Sequence, residues 1–285
     1  MIEVEDLEFT YRGATAPAVR GVSFDVADQE IFGFLGPSGA GKSTTQKILI
    51  GLLTGYRGRV QVLGRETSAW GADYYENIGV QFELPNHHQR LTALENLEHF
   101  GGLYRGPIVP PREVLGWVGL EDAADQRVAE FSKGMKIRLN LARSLLHKPK
   151  LLFLDEPTGG LDPINAKHVK ALVRRLRDEG TTVFLTTHDM AVAEQICDRV
   201  AFITAGRIAV IDAPEALKRQ HGQRIVRVTY EGDDGDETTA DFPLDGLGED
   251  DAFRALLARP IRAIHSQETS LDEVFIEVTG ERLAP

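Results

Sequence analysis

The sequence predicts an α/β fold with a mainly parallel core sheet, and three observations carry that expectation. Two continuous apolar runs, KLLFLDEP and TTVFLTTHD, read as strands buried on both faces, with the helical stretch DPINAKHVKALVRRLRDEG between them. Strands of that kind alternating with helices build a parallel sheet covered on both sides. A glycine-rich turn, GPSGAGKST, stands between a third apolar strand, EIFGFLG, and the helical stretch KSTTQKILIGLL. The 285 residues are 42% apolar and 26% charged, which is ordinary for a folded globular chain and unlike a disordered one.

The elements follow in order along the chain. IEVEDLEFTY and VRGVSFDV alternate apolar and polar residues between turns and read as strands, as do GRVQVLG and NIGVQFE. Thr92 and Glu95 in LTALENL form a capping box, so a helix begins there, and helices fill residues 92 to 148 with an interruption at GPIVPP. In FSKGMKIRLNLAR, Ser132 can cap a helix whose first two turns carry Lys133, Lys136 and Arg138. Free backbone amides at such a start attract an anion. The helix between the two buried strands is punctuated by Asp162 as cap, Pro163 in its first turn and Gly180 past its end. VAFITAGRIAVIDAP reads as a hairpin about Ala205 and Gly206. Beyond residue 216 the composition shifts. RIVRVTYEGDDGDETTADFPL reads as strand, acidic turn and strand, and SLDEVFIEVTG as a short capped helix. The domains expected are residues 1–216 and 217–285.

Charge and cysteine usage narrow the classes. The formal net charge is −11, and residues 225–285 hold 15 acids against 5 bases while residues 1–224 hold 28 against 27. No basic stripe marks a nucleic-acid footprint, so no nucleic-acid partner is expected. Cys197 is the single cysteine, which rules out an intrachain disulfide. The start MIEVEDLEFTYRG has neither the cationic beginning nor the apolar stretch of a secretion signal, and no run of about 18 apolar residues could span a bilayer. A cytoplasmic protein without a membrane span is expected.

The residues that carry chemistry begin with GPSGAGKST, which fits the pattern G-x-x-x-x-G-K-[ST] in its strand-to-helix context. The glycines Gly36, Gly39 and Gly41 would let backbone amides wrap phosphates, with Pro37, Ser38 and Ala40 completing the nucleotide-binding loop. Lys42 would neutralise β- and γ-phosphate charge, the Ser43 hydroxyl would ligate Mg2+, and Thr44 completes the motif. The ligand expected is a nucleoside triphosphate. LLFLDEP delivers Asp155 and Glu156 at the C-terminal end of a strand, where open α/β sheets bind ligands. Adjacent acids at a phosphate site need separate tasks: Asp155 to hold the metal, Glu156 to polarise the attacking water as general base. His188 closes the neighbouring strand and is placed to meet the γ-phosphate or the water.

With these motifs in hand, the chain resembles the ATP-binding subunit of an ABC transporter over residues 1–216. GPSGAGKST resembles that family's phosphate loop, FSKGM its signature loop, LLFLDEP its second nucleotide motif, GGLD its dimer-contact loop and His188 its switch histidine. The resemblance implies a phosphate-loop NTPase cassette with an antiparallel β subdomain and a helical subdomain at about residues 86–148. It implies ATP and Mg2+ as cofactors and Tyr11 stacked on adenine. Two cassettes would pack head to tail, so that Ser132 and Gly134 contact the ATP held by a second cassette, in a homodimer or heterodimer. FSKGM departs from the family's usual LSGGQ at Lys133 and Met135 but retains Ser132 and Gly134. The family presents a glutamine after the NIGVQFE strand as a further metal ligand. Aligning IGV and LTALENL puts Glu83 at that place, with Gln81 two residues earlier on the same side of the strand. The ending SLDEVFIEVTG is similar to the C-terminal extension, here a small α+β accessory domain, of ATP-binding subunits from bacterial exporters. The function implied is an ATPase that powers a separate membrane-spanning transporter subunit from the inner face of the cell membrane. The alternative is a soluble ATPase of the same type acting as a switch on a non-membrane partner.

Overall fold

A computed structural model describes residues 1–222, 225–232, 235–267 and 269–281. They fall into two units, Met1–Pro214 and Glu215–Glu281.

The first unit opens with strands β1 (Ile2–Phe9), β2 (Val19–Val26) and β3 (Ile31–Leu35), then helix α1 (Lys42–Leu49). Next come β4 (Arg57–Val62), the two-residue β5 (Arg65–Glu66) and β6 (Ile78–Gln81). Helices α2 (Ala93–Gly101), α3 (Pro111–Trp117) and α4 (Lys133–Leu145) lead into β7 (Leu151–Asp155), α5 (Pro163–Asp178) and β8 (Thr182–Thr187). Helix α6 (Met190–Ile196) precedes the hairpin β9 (Arg199–Thr204) and β10 (Arg207–Asp212). The six-stranded sheet runs β10-β9-β3-β8-β7-β6 and is parallel except for β10, and a four-stranded antiparallel sheet runs β2-β1-β4-β5.

These arrangements have local causes. Every residue of β3, β7 and β8 is buried, because α5 and α6 cover one sheet face while the antiparallel sheet and α1 pack on the other. On that second face Phe184 meets Phe24, Phe32, Phe34 and Phe153 with ring centroids 5.6 to 6.1 Å apart. A fully buried phenylalanine in such a cluster contributes about 3–5 kcal/mol against alanine. Ala205 and Gly206 both adopt positive φ, +47° and +78°, which matches the tight turn that the twist of two flanking strands prefers. The capping box at Thr92 and Glu95 forms at both of its bonds, 2.8 and 3.1 Å.

The second unit contains α7 (Pro214–His221, whose first residue belongs to the first unit), β11 (Ile225–Glu231), β12 (Glu237–Pro243), α8 (Asp251–Leu256), β13 (Ile261–Gln267) and α9 (Leu271–Thr279). Its antiparallel sheet runs β12-β11-β13, and Val226, Val228, Phe242 and Leu256 form its core. Residues 233 and 234 of the expected acidic turn lie outside the described residues. Ser270 and Glu273 form a capping box at the start of α9.

Candidate functional site

The turn between β3 and α1 is built from glycines for steric reasons. A Cβ on Gly36 would lie 2.1 Å from the Ile203 carbonyl oxygen, and Gly41 adopts φ +110° just before the helix. Only a residue without a side chain meets both demands. Lys42 is buried, and its Nζ donates to the carbonyls of Gly36 at 2.6 Å and Pro37 at 3.0 Å, so the loop closes around its own lysine. Burial pushes the Lys42 ammonium below the usual lysine range, opposed by the Glu156, Asp155 and Glu83 carboxylates. Ala40 is buried beneath the loop and its carbonyl accepts from Gly206 N.

Asp155 and Glu156 part in opposite directions at the end of β7. Asp155 pairs in register with Thr186 on β8 and points to the same sheet face, where Thr186 Oγ1 donates to Asp155 Oδ1 at 2.5 Å. Burial raises the Asp155 carboxyl above its ordinary range, and the Thr186 hydrogen bond acts against that rise. Glu156 leaves the strand with φ +48°, a left-handed backbone unusual for a residue with a side chain. That turn carries its carboxylate to the end of β8. Thr187 Oγ1 donates to Glu156 Oε2 at 2.7 Å, while the backbone N–H of His188 donates to Oε1 at 2.9 Å and its ring Nδ1 lies 2.6 Å from the same atom.

Tyr11, Lys42, Ser43, Glu83, Asp155, Glu156 and His188 line one cleft of about 410 Å³, together with Ser38, Gly39, Gly41 and Thr44 of the loop. Tyr11 stands half exposed at the rim, its hydroxyl 3.1 Å from Thr44 Oγ1 and its ring edge-on to Phe9. Gly36, Pro37 and Ala40 support the loop from behind without lining the cleft. Ser132 and Gly134 do not line it either: Ser132 caps α4, its Oγ accepting from Met135 N at 3.2 Å, and Gly134 lies beside Leu161.

One expectation needs correction. Gln81 and Glu83 do not share a side of a strand, because β6 ends at Gln81 and the chain bends at Glu83. Gln81 is buried away from the cleft with its Oε1 unpartnered, while Glu83 is exposed and faces into it. Three contacts with α4 hold the bend. Asn140 Nδ2 donates to the Phe82 carbonyl at 2.8 Å, Arg143 to the Asn86 carbonyl at 2.9 Å, and His87 Nε2 lies 2.9 Å from the Lys136 carbonyl. A carbonyl only accepts, so His87 donates from Nε2. Burial lowers its pKa to about 4, which keeps the ring neutral.

The donor set in the cleft, the Ser43 hydroxyl with the Asp155 and Glu83 carboxylates, is all oxygen and suits Mg2+. Among the described residues no cluster of His, Cys, Asp and Glu forms a metal cage of its own. Magnesium characteristically takes one or two carboxylates and completes its shell with water and substrate phosphates, so the set fits a metal that arrives with a nucleotide. Sequence reasoning missed Thr186, Thr187 and the α4 contacts. The one available signal was two adjacent threonines ending the strand beside the acid pair.

A phosphate-binding loop and a carboxylate pair at the C-terminal edge of one parallel sheet define a phosphate-loop nucleoside triphosphatase. The family model for ABC transporters matches residues 19–159, and one described as the fluoroquinolone efflux ABC transporter C-terminal domain matches residues 224–268. The chain is 54% identical to a fluoroquinolones export ATP-binding protein of Mycobacterium tuberculosis over 284 residues, 99% of this chain and 94% of that protein. It is 42% identical to the Nod factor export ATP-binding protein I of a Rhizobium species over 216 residues, 74% of this chain and 71% of that one. A cassette solved as a dimer in a post-hydrolysis state with ADP and Pi superposes with a TM-score of 0.68 at 28% identity, covering 75% of this chain and 98% of that one. The chain belongs to the ABC transporter ATP-binding family and is an ATPase. Among the described residues no helix is long and apolar enough to cross a membrane.

Proposed function

We infer that this chain is the ATP-hydrolysing subunit of an exporter, working from the cytoplasmic face of the membrane on a separate membrane-spanning chain. The observation that carries this is the convergence of Lys42, Ser43, Asp155, Glu156 and His188 on one cleft. The loop amides and Lys42 hold the triphosphate. Ser43, Asp155 and Glu83 would hold Mg2+, which when bound supplies charge neutralisation at the phosphates. Glu156 takes a proton from the attacking water, His188 meets the γ-phosphate, and Tyr11 stacks on the adenine. Ser132 and Gly134 stand apart from this cleft and present the start of α4, a place suited to the phosphate of a nucleotide in a second cassette. Residues 217–285 serve as an accessory domain of the exporter.

Support for the cargo class comes from the relative that shares 54% identity across nearly the whole chain and is named for fluoroquinolone export. Small amphiphilic aromatic drugs of that kind are the proposed cargo. The test is drug accumulation in cells expressing this chain with its membrane subunit, against cells with the Lys42→Ala variant. Wild type should lower intracellular fluoroquinolone severalfold and the variant should not. Accumulation with wild type as high as in cells lacking the transporter would contradict the cargo, and a Lys42→Ala variant that lowers accumulation as far as wild type would contradict the ATP drive.

A further inference from the structure

We propose that Thr187 is a positioning residue for ATP hydrolysis, its hydroxyl fixing the Glu156 carboxylate in the orientation that receives the water proton. The proposal rests on Glu156 being the general base and concerns what holds that base in place.

The hydroxyl is anchored from both sides. Thr187 is 1% exposed at the end of β8, and its Oγ1 accepts the N–H of Asp189 at 3.0 Å. Asp189 itself caps α6 by accepting from Val192 N at 3.0 Å, so the donor is tied to a helix start. With one lone pair engaged by that amide, the single hydroxyl hydrogen is directed to Glu156 Oε2, 2.7 Å away. The other carboxylate oxygen, Oε1, meets two groups of His188. The side chain of His188 is 57% exposed at the cleft, whereas Thr187 is 1% exposed within the sheet, so of the two only the ring has solvent space to turn into. Departure of the ring therefore leaves the threonine bond in place and frees a lone pair on Oε1. The carboxylate is then held at Oε2 by Thr187 and at Oε1 by the backbone N–H of His188, with the lone pair that the ring vacated open to the water.

The geometry also explains why the chain spends a backbone outlier here. Glu156 at φ +48° donates its own N–H to the Thr186 carbonyl at 2.9 Å, which turns its side chain away from Asp155 and toward Thr187. Neighbouring threonines thereby separate neighbouring acids: Thr186 holds Asp155 on one face of the sheet and Thr187 holds Glu156 at the strand's end.

The test compares steady-state ATPase and ATP binding for Thr187→Val, which keeps the shape and loses the hydroxyl, and Thr187→Ser, which keeps the hydroxyl. A hydrogen bond to a charged group and the alignment it gives are together worth roughly 10- to 100-fold. Thr187→Val should lose that much kcat with KM and ATP affinity within about twofold, and Thr187→Ser should recover to within about threefold of wild type. In a Glu156→Gln background, Thr187→Val should add no further loss, since the two act as one unit. If the valine variant does not fold, Thr187→Ala against Thr187→Ser gives the same contrast, and equal kcat in that pair overturns the proposal. A kcat for Thr187→Val within twofold of wild type, while Glu156→Gln is inactive, overturns the threonine's role alone. An active Glu156→Gln overturns the assignment of the base beneath it.

Discussion

A carboxylate at position 83 changes the electrostatics of the cleft, because Glu83 adds a third acid beside Asp155 and Glu156 at a site built for a polyanion. Such a set binds a triphosphate only when metal charge offsets it. Glu83→Gln should raise the magnesium concentration for half-maximal ATPase about fivefold, the equivalent of the roughly 1 kcal/mol that one charge pair contributes in a solvated site. Gln81→Ala should leave that concentration unchanged. Magnesium titrations of the three proteins decide it, and a shift for Gln81→Ala alone would reverse the assignment. At this scale Lys42, Ser43, Asp155, Glu156 and His188 were legible, because each stands in a pattern tied to a strand end. Thr186 and Thr187 were not, since threonine is an ordinary β-strand residue and only the register of β7 against β8 shows what the hydroxyls touch.

Among the elements, α4 does two tasks: its start presents Ser132, and its middle holds the bend that carries Glu83. The His87 contact makes that hold sensitive to acid. The folded pKa of about 4 lies below the ordinary value of 6.5, so the unfolded chain binds more protons between those limits. Stability contributed by neutral His87 is fully present above about pH 6.5 and is lost as pH falls toward 4, by up to about 3 kcal/mol. Buried His147 is shifted in the same direction and adds its own slope. The expected result is therefore a difference: His87→Gln should unfold with less dependence on pH than wild type between pH 6.5 and 4 in urea titrations. Identical slopes would show that the ring is not held neutral. Helix caps, terminal proline and glycine, and a turn pair made α2, α5, α9 and the β9–β10 hairpin readable in advance. By contrast α8, with six residues, is too short for a helical period to register, and the segment IRAIHSQ of β13 interrupts its alternation with polar residues.

Taken as a whole molecule, the chain joins a nucleotide cleft to a signature helix whose Ser132 and Gly134 do not reach that cleft. This is the arrangement expected of a cassette that completes its site with a second one, and the related cassette solved with ADP and Pi is dimeric. The parallel sheet could be foreseen from its uninterrupted apolar strands. The bend after β6 could not, because the side chains that end the strand and hold it, Asn140 and Arg143, lie more than fifty residues downstream. The central claim is that the cleft hydrolyses ATP with Glu156 as base, and its most direct test is ATP binding and steady-state turnover of Glu156→Gln beside wild type. Binding should persist within about twofold while kcat falls by roughly 10²- to 10⁴-fold, the loss typical of removing a general base. Turnover within a few-fold of wild type would contradict the claim.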